Sequence, residues 1–500
     1  MSLINIKDLT FSYDTNYELI FDNVSFRLDS SWKLGLIGKN GKGKTTLLNL
    51  LLNKYEYKGK IESNLAFEYF PLEIIDKNDL TINIIEDYLP IIELWQIKKE
   101  MNLLELEEDI LYQYFSSLSN GEQTKVMLLI LFLKENSFLL IDEPTNHLDI
   151  RGREIVSDYL KSKTGFILVS HDRQFLNNCI DHIMSINNYK IDIQQGNYET
   201  WKTNKDNQDN FELMQNEKLK KDIKRLDLAS KRTSSWSNVI EKRKHRGKNN
   251  GNKKLDQGVK PDKGHIGAMA AKMMKKAKST EQRRDKALNE KKGLLKEVDV
   301  IENLSISYLK HHNKKLVELS GVTICYDNRV IVNDLSFTIE QGSRVALVGK
   351  NGSGKSSIIK LINGENIDFS GTLNKASNLK ISYVIQDTSI LKGNLADFIT
   401  DNNIDEVKFK SILRKLGFSR NQFTKDIEEY SAGQKKKIVI AKSLCEEAHL
   451  YIWDEALNYL DIISRIQLEN LILEYQPTLL FVEHDQEFLA NIATEIVDLD

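Results

Sequence analysis

One ordered set of landmarks occurs twice in this 500-residue chain, and that duplication limits its fold more than any other feature. GLIGKNGKGKTTLLNLL (35–51) returns as ALVGKNGSGKSSIIKLI (346–362), and LSNGEQTKVMLLILFL (118–133) returns as YSAGQKKKIVIAKSL (430–444). FLLIDEPTNHLD (138–149) returns as LYIWDEALNYLD (450–461), and ILVSHDRQFL (167–176) returns as LFVEHDQEFL (480–489). Spacings repeat too: Lys44 to Ser119 is 75 positions and Lys355 to Ser431 is 76, while Ser119–Asp142 and Ser431–Asp454 are both 23. Chance supplies one glycine-rich loop, but not eight elements in register. Each copy opens with alternating strands (INIKDLTFSYD; VELSGVTICYD) and continues as strand, Gly loop and helix. The later runs FLLI and GFILVS suit buried strands of a largely parallel sheet. The expectation is α/β: domains at 1–203 and 316–500, joined by a linker at 204–315.

GKNGKGKT (38–45) and GKNGSGKS (349–356) fit the phosphate-loop pattern GxxxxGK[ST] without a mismatch. In such a loop the backbone N–H groups close around phosphate oxygens at a helix N-terminus, and the glycines permit that approach. This assigns ATP contacts to Gly38, Asn40, Gly41, Gly43, Lys44, Thr45 and Thr46, and to Gly349, Asn351, Gly352, Gly354, Lys355, Ser356 and Ser357. Lys44 and Lys355 would reach the β- and γ-phosphates, while Thr45 and Ser356 would hold Mg²⁺. Asp142 and Asp454 end apolar strands, which suits carboxylates fixed near the metal. Glu143 and Glu455 follow directly and can polarise the attacking water. His171 and His484, about thirty residues on, can meet the γ-phosphate.

The 110 or so residues between the copies need another explanation. Leu219, Ile223 and Leu226 follow 4-3 spacing, and Ile266, Ala270, Met273 and Ala277 follow 4-3-4 spacing. Two antiparallel helices, each with one narrow apolar seam, fit that pattern. The turn falls in a segment with Gly247, Gly251, Gly258 and Pro261. Each helix would run about 35 residues, roughly 50 Å. From 231 to 263 there are eleven Lys/Arg against Glu241, Asp256 and Asp262, although the whole chain carries a net charge of only −2. A one-signed tip at 233–263 is either a solvated surface or a site for a polyanion. Counterion release favours the polyanion, with phosphate contacts from Lys242, Arg243, Lys244, Arg246, Lys248, Lys253 and Lys254. Trp236, Arg243 and Arg246 could also stack on unpaired bases. Cys179, Cys325 and Cys445 lack any metal-ligand spacing and fit a reducing cytosol. The opening MSLINIKDLTFSYD has no leader pattern, and no run approaches eighteen apolar residues, so a cytoplasmic location is expected.

SNGEQ (119–123) and SAGQ (431–434), each just upstream of a DE-bearing strand, narrow the reading further. With them, the chain resembles the ATP-binding-cassette (ABC) ATPases, end to end in both copies. The resemblance implies head-to-tail cassettes in a single chain. Lys44, Asp142 and Glu143 would then share an ATP with Ser431 and Gly433, and Lys355, Asp454 and Glu455 would share one with Ser119 and Gly121. Glu122 and Gln434 belong to the same signatures. Tyr13 and Tyr326 stand where the family stacks adenine, or are ordinary strand tyrosines. Aligning EYFPL with SYVIQ puts Leu72 opposite Gln386, the place of the family's metal-sensing glutamine. Trp453, Ala456 and Glu483 depart from Ile141, Pro144 and Ser170 in the first copy. Unequal sites are therefore expected.

Twin cassettes, EPTNHLD, a long helical linker and no membrane span together resemble the ABC-F family. SNGEQTKV, WDEALNYLD and AAKMMKKAK resemble its Lsa- and Vga-type resistance branch. That resemblance implies two tandem ABC-type P-loop domains joined by a long antiparallel α-helical hairpin. It implies binding at the E site of the 70S ribosome, with the linker directed toward the P-site tRNA and 23S rRNA. It also implies protection against lincosamides, pleuromutilins and streptogramin A. Two rivals remain: a translation factor for stalled ribosomes, and the ATPase subunit of a membrane transporter, which would want a short linker.

Overall fold

The computed structural model describes residues 2–13, 19–146, 148–187, 190–246, 302–326 and 329–499, with the single positions 275, 278, 279, 282 and 286. Contacts divide the chain into two units, 1–201 with 301–500, and 202–300.

The larger unit holds both cassettes. In the first, β1 (Leu3–Ser12) pairs antiparallel with β2 (Leu19–Asp29) and with β4 (Lys58–Glu62). Strands β3 (Lys33–Ile37), β5 (Ala66–Phe70), β6 (Ser137–Asp142), β7 (Phe166–Val169), β8 (His182–Asn187) and β9 (Lys190–Gln195) form a second sheet, in the order β5-β6-β7-β3-β8-β9. All its neighbours are parallel except β8 and β9. The second cassette repeats this plan. Its antiparallel sheet is β11-β10-β13, from β10 (Lys315–Tyr326), β11 (Arg329–Glu340) and β13 (Phe369–Lys375). Its parallel sheet is β14-β15-β16-β12-β17, from β12 (Arg344–Val348), β14 (Ile381–Val384), β15 (Leu450–Asp454), β16 (Leu479–Val482) and β17 (Glu495–Asp498).

The apolar runs read as buried strands are buried: Phe138–Ile141 and Phe166–Val169 are at most 2 % exposed. Helices cover both faces, as a parallel sheet requires. The helix Lys44–Leu51 packs Leu47, Leu48, Leu50 and Leu51 into one core, and Asn120–Leu133 packs Val126 and Leu128–Leu131 into another. The signature serines fold as capping boxes. Ser119 N–H donates to Glu122 Oε2 (2.8 Å) and Glu122 N–H donates to Ser119 Oγ (3.3 Å). Ser431 and Gln434 repeat both bonds at 3.0 and 3.3 Å, satisfying the first free N–H groups of each helix.

The smaller unit contains most of one helix, Tyr198–Arg246, whose 49 residues give roughly 73 Å. It differs from the expectation in three ways. It begins inside 1–203, where Asn197 Oδ1 accepts from Thr200 N–H (3.1 Å). It is far longer than about 35 residues. It also runs through 233–246, expected as turn, so Trp236, Lys242, Arg243, Lys244 and Arg246 lie on helical backbone. The cause is compositional, since neither Gly nor Pro interrupts the chain before Gly247. Leu219 and Ile223 are half-buried as their spacing predicts, and buried Glu212 and Asn216 extend that seam. The turn, the second arm's seam and Lys248, Lys253 and Lys254 lie outside the described residues.

Residues 302–315 also depart from the linker assignment. Leu304 and Ile306 are buried in the second cassette's core, and Leu309 N–H donates to Ala448 O (2.8 Å). Alternating apolar residues there take up an edge position on the cassette.

Candidate active site

Each phosphate loop lies between a buried strand and a helix, and its last glycine cannot be replaced. Gly43 (φ 93°) would bring a Cβ within 2.6 Å of Ile20 Cγ2, and Gly354 (φ 94°) within 2.4 Å of Val332 Cγ2. Left-handed backbone and close approach to the antiparallel sheet both demand glycine there. Lys44 Nζ donates to Gly38 O (2.7 Å) and Asn40 Oδ1 (3.2 Å), while Lys355 Nζ donates to Gly349 O and Lys350 O, both at 2.6 Å. Each ammonium is buried and curled over its own loop. Tyr13 Oη and Thr46 Oγ1 share a hydrogen bond (2.9 Å), which brings Tyr13 to the loop helix, its ring edge-on to Phe11 and Tyr55. Tyr326 is exposed at the end of β10.

The expected metal residues come together. Thr45 Oγ1 donates to Asp142 Oδ2 (3.2 Å), and Ser356 bonds Asp454. Asp454 Oδ1 is buried with no hydrogen-bond partner among the described residues. Hydroxyl and carboxylate oxygens, one of them orphaned, form a donor set that fits Mg²⁺. Tyr69 was missed by the sequence reading. Its hydroxyl donates to Asp142 Oδ2 (3.1 Å), and Tyr383 takes the same place beside Asp454. Both tyrosines stand at matching positions of EYFPL and SYVIQ, and that recurrence was the available signal.

Glu143 and Glu455 have left-handed backbones, with φ of 51° and 47°. Such conformations cost about 1 kcal/mol or more each. They are held by hydrogen bonds from Glu143 N–H to Val169 O (2.9 Å) and from Glu455 N–H to Val482 O (3.0 Å). His171 Nε2 lies 3.3 Å from Glu143 Oε1, and His484 Nε2 lies 3.8 Å from Glu455 Oε1. Burial, then Lys44 and Arg465, keeps His171 neutral, well below its ordinary value.

The glutamates differ electrostatically. Burial and neighbouring Asp142 push Glu143 up to about 8. Burial also pushes Glu455 upward, but His484, Gln386 and Lys436 beside it outweigh that and hold the carboxyl at about 2, and Asn458 Nδ2 donates to its Oε2 (2.7 Å). The strand registers Phe70↔Ile141 and Val384↔Trp453 equate Leu72 with Gln386. Leu72 packs against the apolar core instead.

The cassettes meet head to tail at the first site. Asn40 Nδ2 donates to Tyr459 O (3.2 Å) of the second cassette. A Cβ on Gly433 would stand 2.5 Å from Tyr459 O and 3.2 Å from Asn40 Nδ2. The second signature therefore lies against the first phosphate loop. Asp461, which caps its own helix through Ser464 N–H (2.9 Å) and binds Lys437 Nζ (2.7 Å), is the carboxylate felt most strongly by Lys44. Ile150 packs into the second cassette's core and Ile462 into the first's. Arg153 Nη1 donates to His484 O (3.2 Å), and buried Arg173 pairs with Glu469 and, at 3.1 Å, with Glu487. His147, the counterpart of Tyr459, lies outside the described residues. Within the first signature Ser119 is exposed, Gly121 is half-buried, and Glu122 Oε2 is taken by the cap.

Both halves match the ABC transporter family, over residues 21–146 and 332–458. The chain belongs to it. Tandem ABC ATP-binding domains make the protein an ATPase. It is 29 % identical to the ATP-binding protein Uup of Buchnera aphidicola (subsp. Acyrthosiphon pisum) over 99 % of this chain and 80 % of Uup. It is 28 % identical to the ribosome protection protein VmlR of Bacillus subtilis, over 96 % of this chain and 83 % of VmlR. Among solved structures, the complex of archaeal ribosomal stalk protein aP1 with the archaeal ribosome recycling factor aABCE1 shares the fold. There the TM-score is 0.62 at 18 % identity, over 98 % of this chain and 87 % of that one. Among the described residues, no helix of this ABC protein is long and apolar enough to cross a membrane.

Proposed function

We propose that the protein is a cytoplasmic ABC-F ATPase that works on the 70S ribosome. Site one binds ATP on Lys44, Asn40 and the loop glycines, with Tyr13 at the adenine, and Ser431 and Gly433 complete it. Site two uses Lys355, Asn351 and Tyr326, completed by Ser119 and Gly121. Thr45 with Asp142, and Ser356 with Gln386 and Asp454, would hold Mg²⁺, which supplies charge neutralisation on the phosphates. Glu143 and Glu455 orient and polarise the attacking water, while His171 and His484 hold the γ-phosphate side. Each triphosphate bridges both cassettes, so closure lasts only until hydrolysis.

The closed form fits the E site, and the linker extends toward the P-site tRNA and 23S rRNA, where its cationic tip neutralises phosphates. The finer reading is protection against lincosamides, pleuromutilins and streptogramin A. The contact from Asn40 to Tyr459 beneath Gly433 carries the reading, because it sets the second signature against the first phosphate loop, where one triphosphate would touch both cassettes. Similarity to VmlR, named as a ribosome protection protein, supports the partner. Similarity to Uup supports a second reading, a general factor for stalled ribosomes. Ribosome co-sedimentation of Glu143→Gln/Glu455→Gln tests the first: retention with ATP is expected, and equal recovery without nucleotide would refute it. Expression in a sensitive host should raise the lincosamide inhibitory concentration, and an unchanged value would favour the general factor.

A further inference from the structure

Lys436, on the helix Ala432–Cys445, is 2 % exposed. Its ammonium donates to three backbone carbonyls: Ile385 (2.9 Å), Gln386 (3.2 Å) and Asp454 (3.2 Å). An ammonium has three N–H donors, so its capacity is filled. Two of those carbonyls lie in the loop after β14 that carries Gln386, and the third ends β15 just before Glu455. Lys436 therefore joins the two segments whose side chains meet at the Glu455 carboxylate.

The first cassette lacks this tie. Five residues after Ser119, as Lys436 is five after Ser431, stands Thr124, whose hydroxyl donates to Asn120 O of its own helix (2.9 Å). The change is paired with another. Glu483, in the place of Ser170, is buried, accepts from Leu457 N–H (2.8 Å) and is the first of the carboxylates acting on Lys436. Burying an ammonium is unfavourable unless it is paired and hydrogen-bonded. Thr124 suffices to build the same helix, so folding alone does not require the lysine. What differs beside it is the loop, which bears Gln386 in one copy and Leu72 in the other.

We propose that Lys436 is a positioning residue of site two, tying the Gln386 loop to the end of β15 so that Gln386 stays on Glu455. Site one has no such restraint. This rests on the reading that the site around Lys355 and Glu455 hydrolyses ATP.

In a Glu143→Gln background, turnover reports site two. If adding Glu455→Gln leaves that rate unchanged, the site reading fails rather than the role of Lys436. Otherwise Lys436→Thr, its companion Lys436→Thr/Glu483→Ser and Gln386→Leu are compared by kcat and by KM for ATP. The companion carries the first cassette's residues at both places and leaves no buried carboxylate uncompensated. Loss of one positioning hydrogen bond to a charged group corresponds to about a tenfold fall in kcat, with KM unchanged, in both Lys436 variants. Added to Gln386→Leu, Lys436→Thr should cost nothing more, because both act through one contact. Wild-type kcat in the companion variant would overturn the proposal, as would multiplicative losses with Gln386→Leu, which mark an independent structural role.

Discussion

Replacing Arg173 with methionine should open the cassettes in a pH-dependent way. The guanidinium is 1 % exposed and pairs across the interface with Glu469 and Glu487, whose side chains are 8 % and 39 % exposed. Glu487 is exposed enough that its pair is worth at most about 1 kcal/mol. Glu469 decides the outcome. Without Arg173 a charged carboxylate would be stranded in a dry interface, and its least costly escape is to take a proton. From an ordinary value of 4.5, that costs roughly 3 kcal/mol at pH 7, close to the ~3–5 kcal/mol typical of breaking a buried pair. The penalty applies to the closed arrangement alone, so apparent affinity for a fluorescent ATP analogue should fall about a hundredfold at pH 7. Burial already raises Glu469 despite Arg173. The variant raises it further, so the penalty is absent below the ordinary value and grows as pH rises. At pH 5.5 the loss, relative to wild type at that pH, should shrink to about tenfold. Arg173→Met/Glu469→Gln should recover most of the affinity and lose the pH dependence. A loss below threefold at pH 7, or one equal at both pH values, would refute the reasoning.

Burial raises Asp461, but Lys437 and the Ser464 N–H outweigh it and hold the carboxyl well below its ordinary range. A depressed carboxylate stabilises the fold above its unfolded value, and that stability is lost as pH falls through the folded one. Lys437→Met should therefore move the acid-unfolding midpoint upward by about one pH unit, and an unmoved midpoint would count against the pair. On the ribosome reading, Arg243→Gln/Arg246→Gln should leave basal ATP turnover intact. It should also reduce the log–log salt slope of ribosome binding by about 1.5, the share of two phosphate contacts; an unaltered slope would remove the tip from the interface.

Repetition in register made much of this legible in the sequence. Lys44 and Lys355, Asp142 and Asp454, and Ser119 and Ser431 can be found by alignment of the chain with itself. Contacts that depend on strand register were harder to see. Tyr69 lies far from Asp142 in sequence, yet parallel pairing of β5 with β6 brings its hydroxyl to that carboxylate. The left-handed φ of Glu143 and Glu455 leaves no mark in the sequence, because glutamate is not among the residues that favour that region. The capping boxes at Ser119 and Ser431 sit inside motifs whose nucleotide role masks their helix chemistry. The turn expected from 233 gives way to helix through Arg246 because neither Gly nor Pro stands before Gly247. Lys436 is the middle lysine of the run KKK (435–437), and nothing in that run sets it apart. Its burial follows from the packing of that helix under β14 and β15, which local composition does not encode.

The number of ATP molecules retained by Glu143→Gln/Glu455→Gln, with one loop and one signature disabled, tests the cross-cassette site most directly. Lys44→Ala with Gly433→Asp strikes the same composite site twice and should leave one ATP per chain. Lys44→Ala with Gly121→Asp strikes both sites and should leave none. The reverse pattern, with one ATP surviving Lys44→Ala/Gly121→Asp, would mean that each cassette completes its own site, contradicting the head-to-tail arrangement.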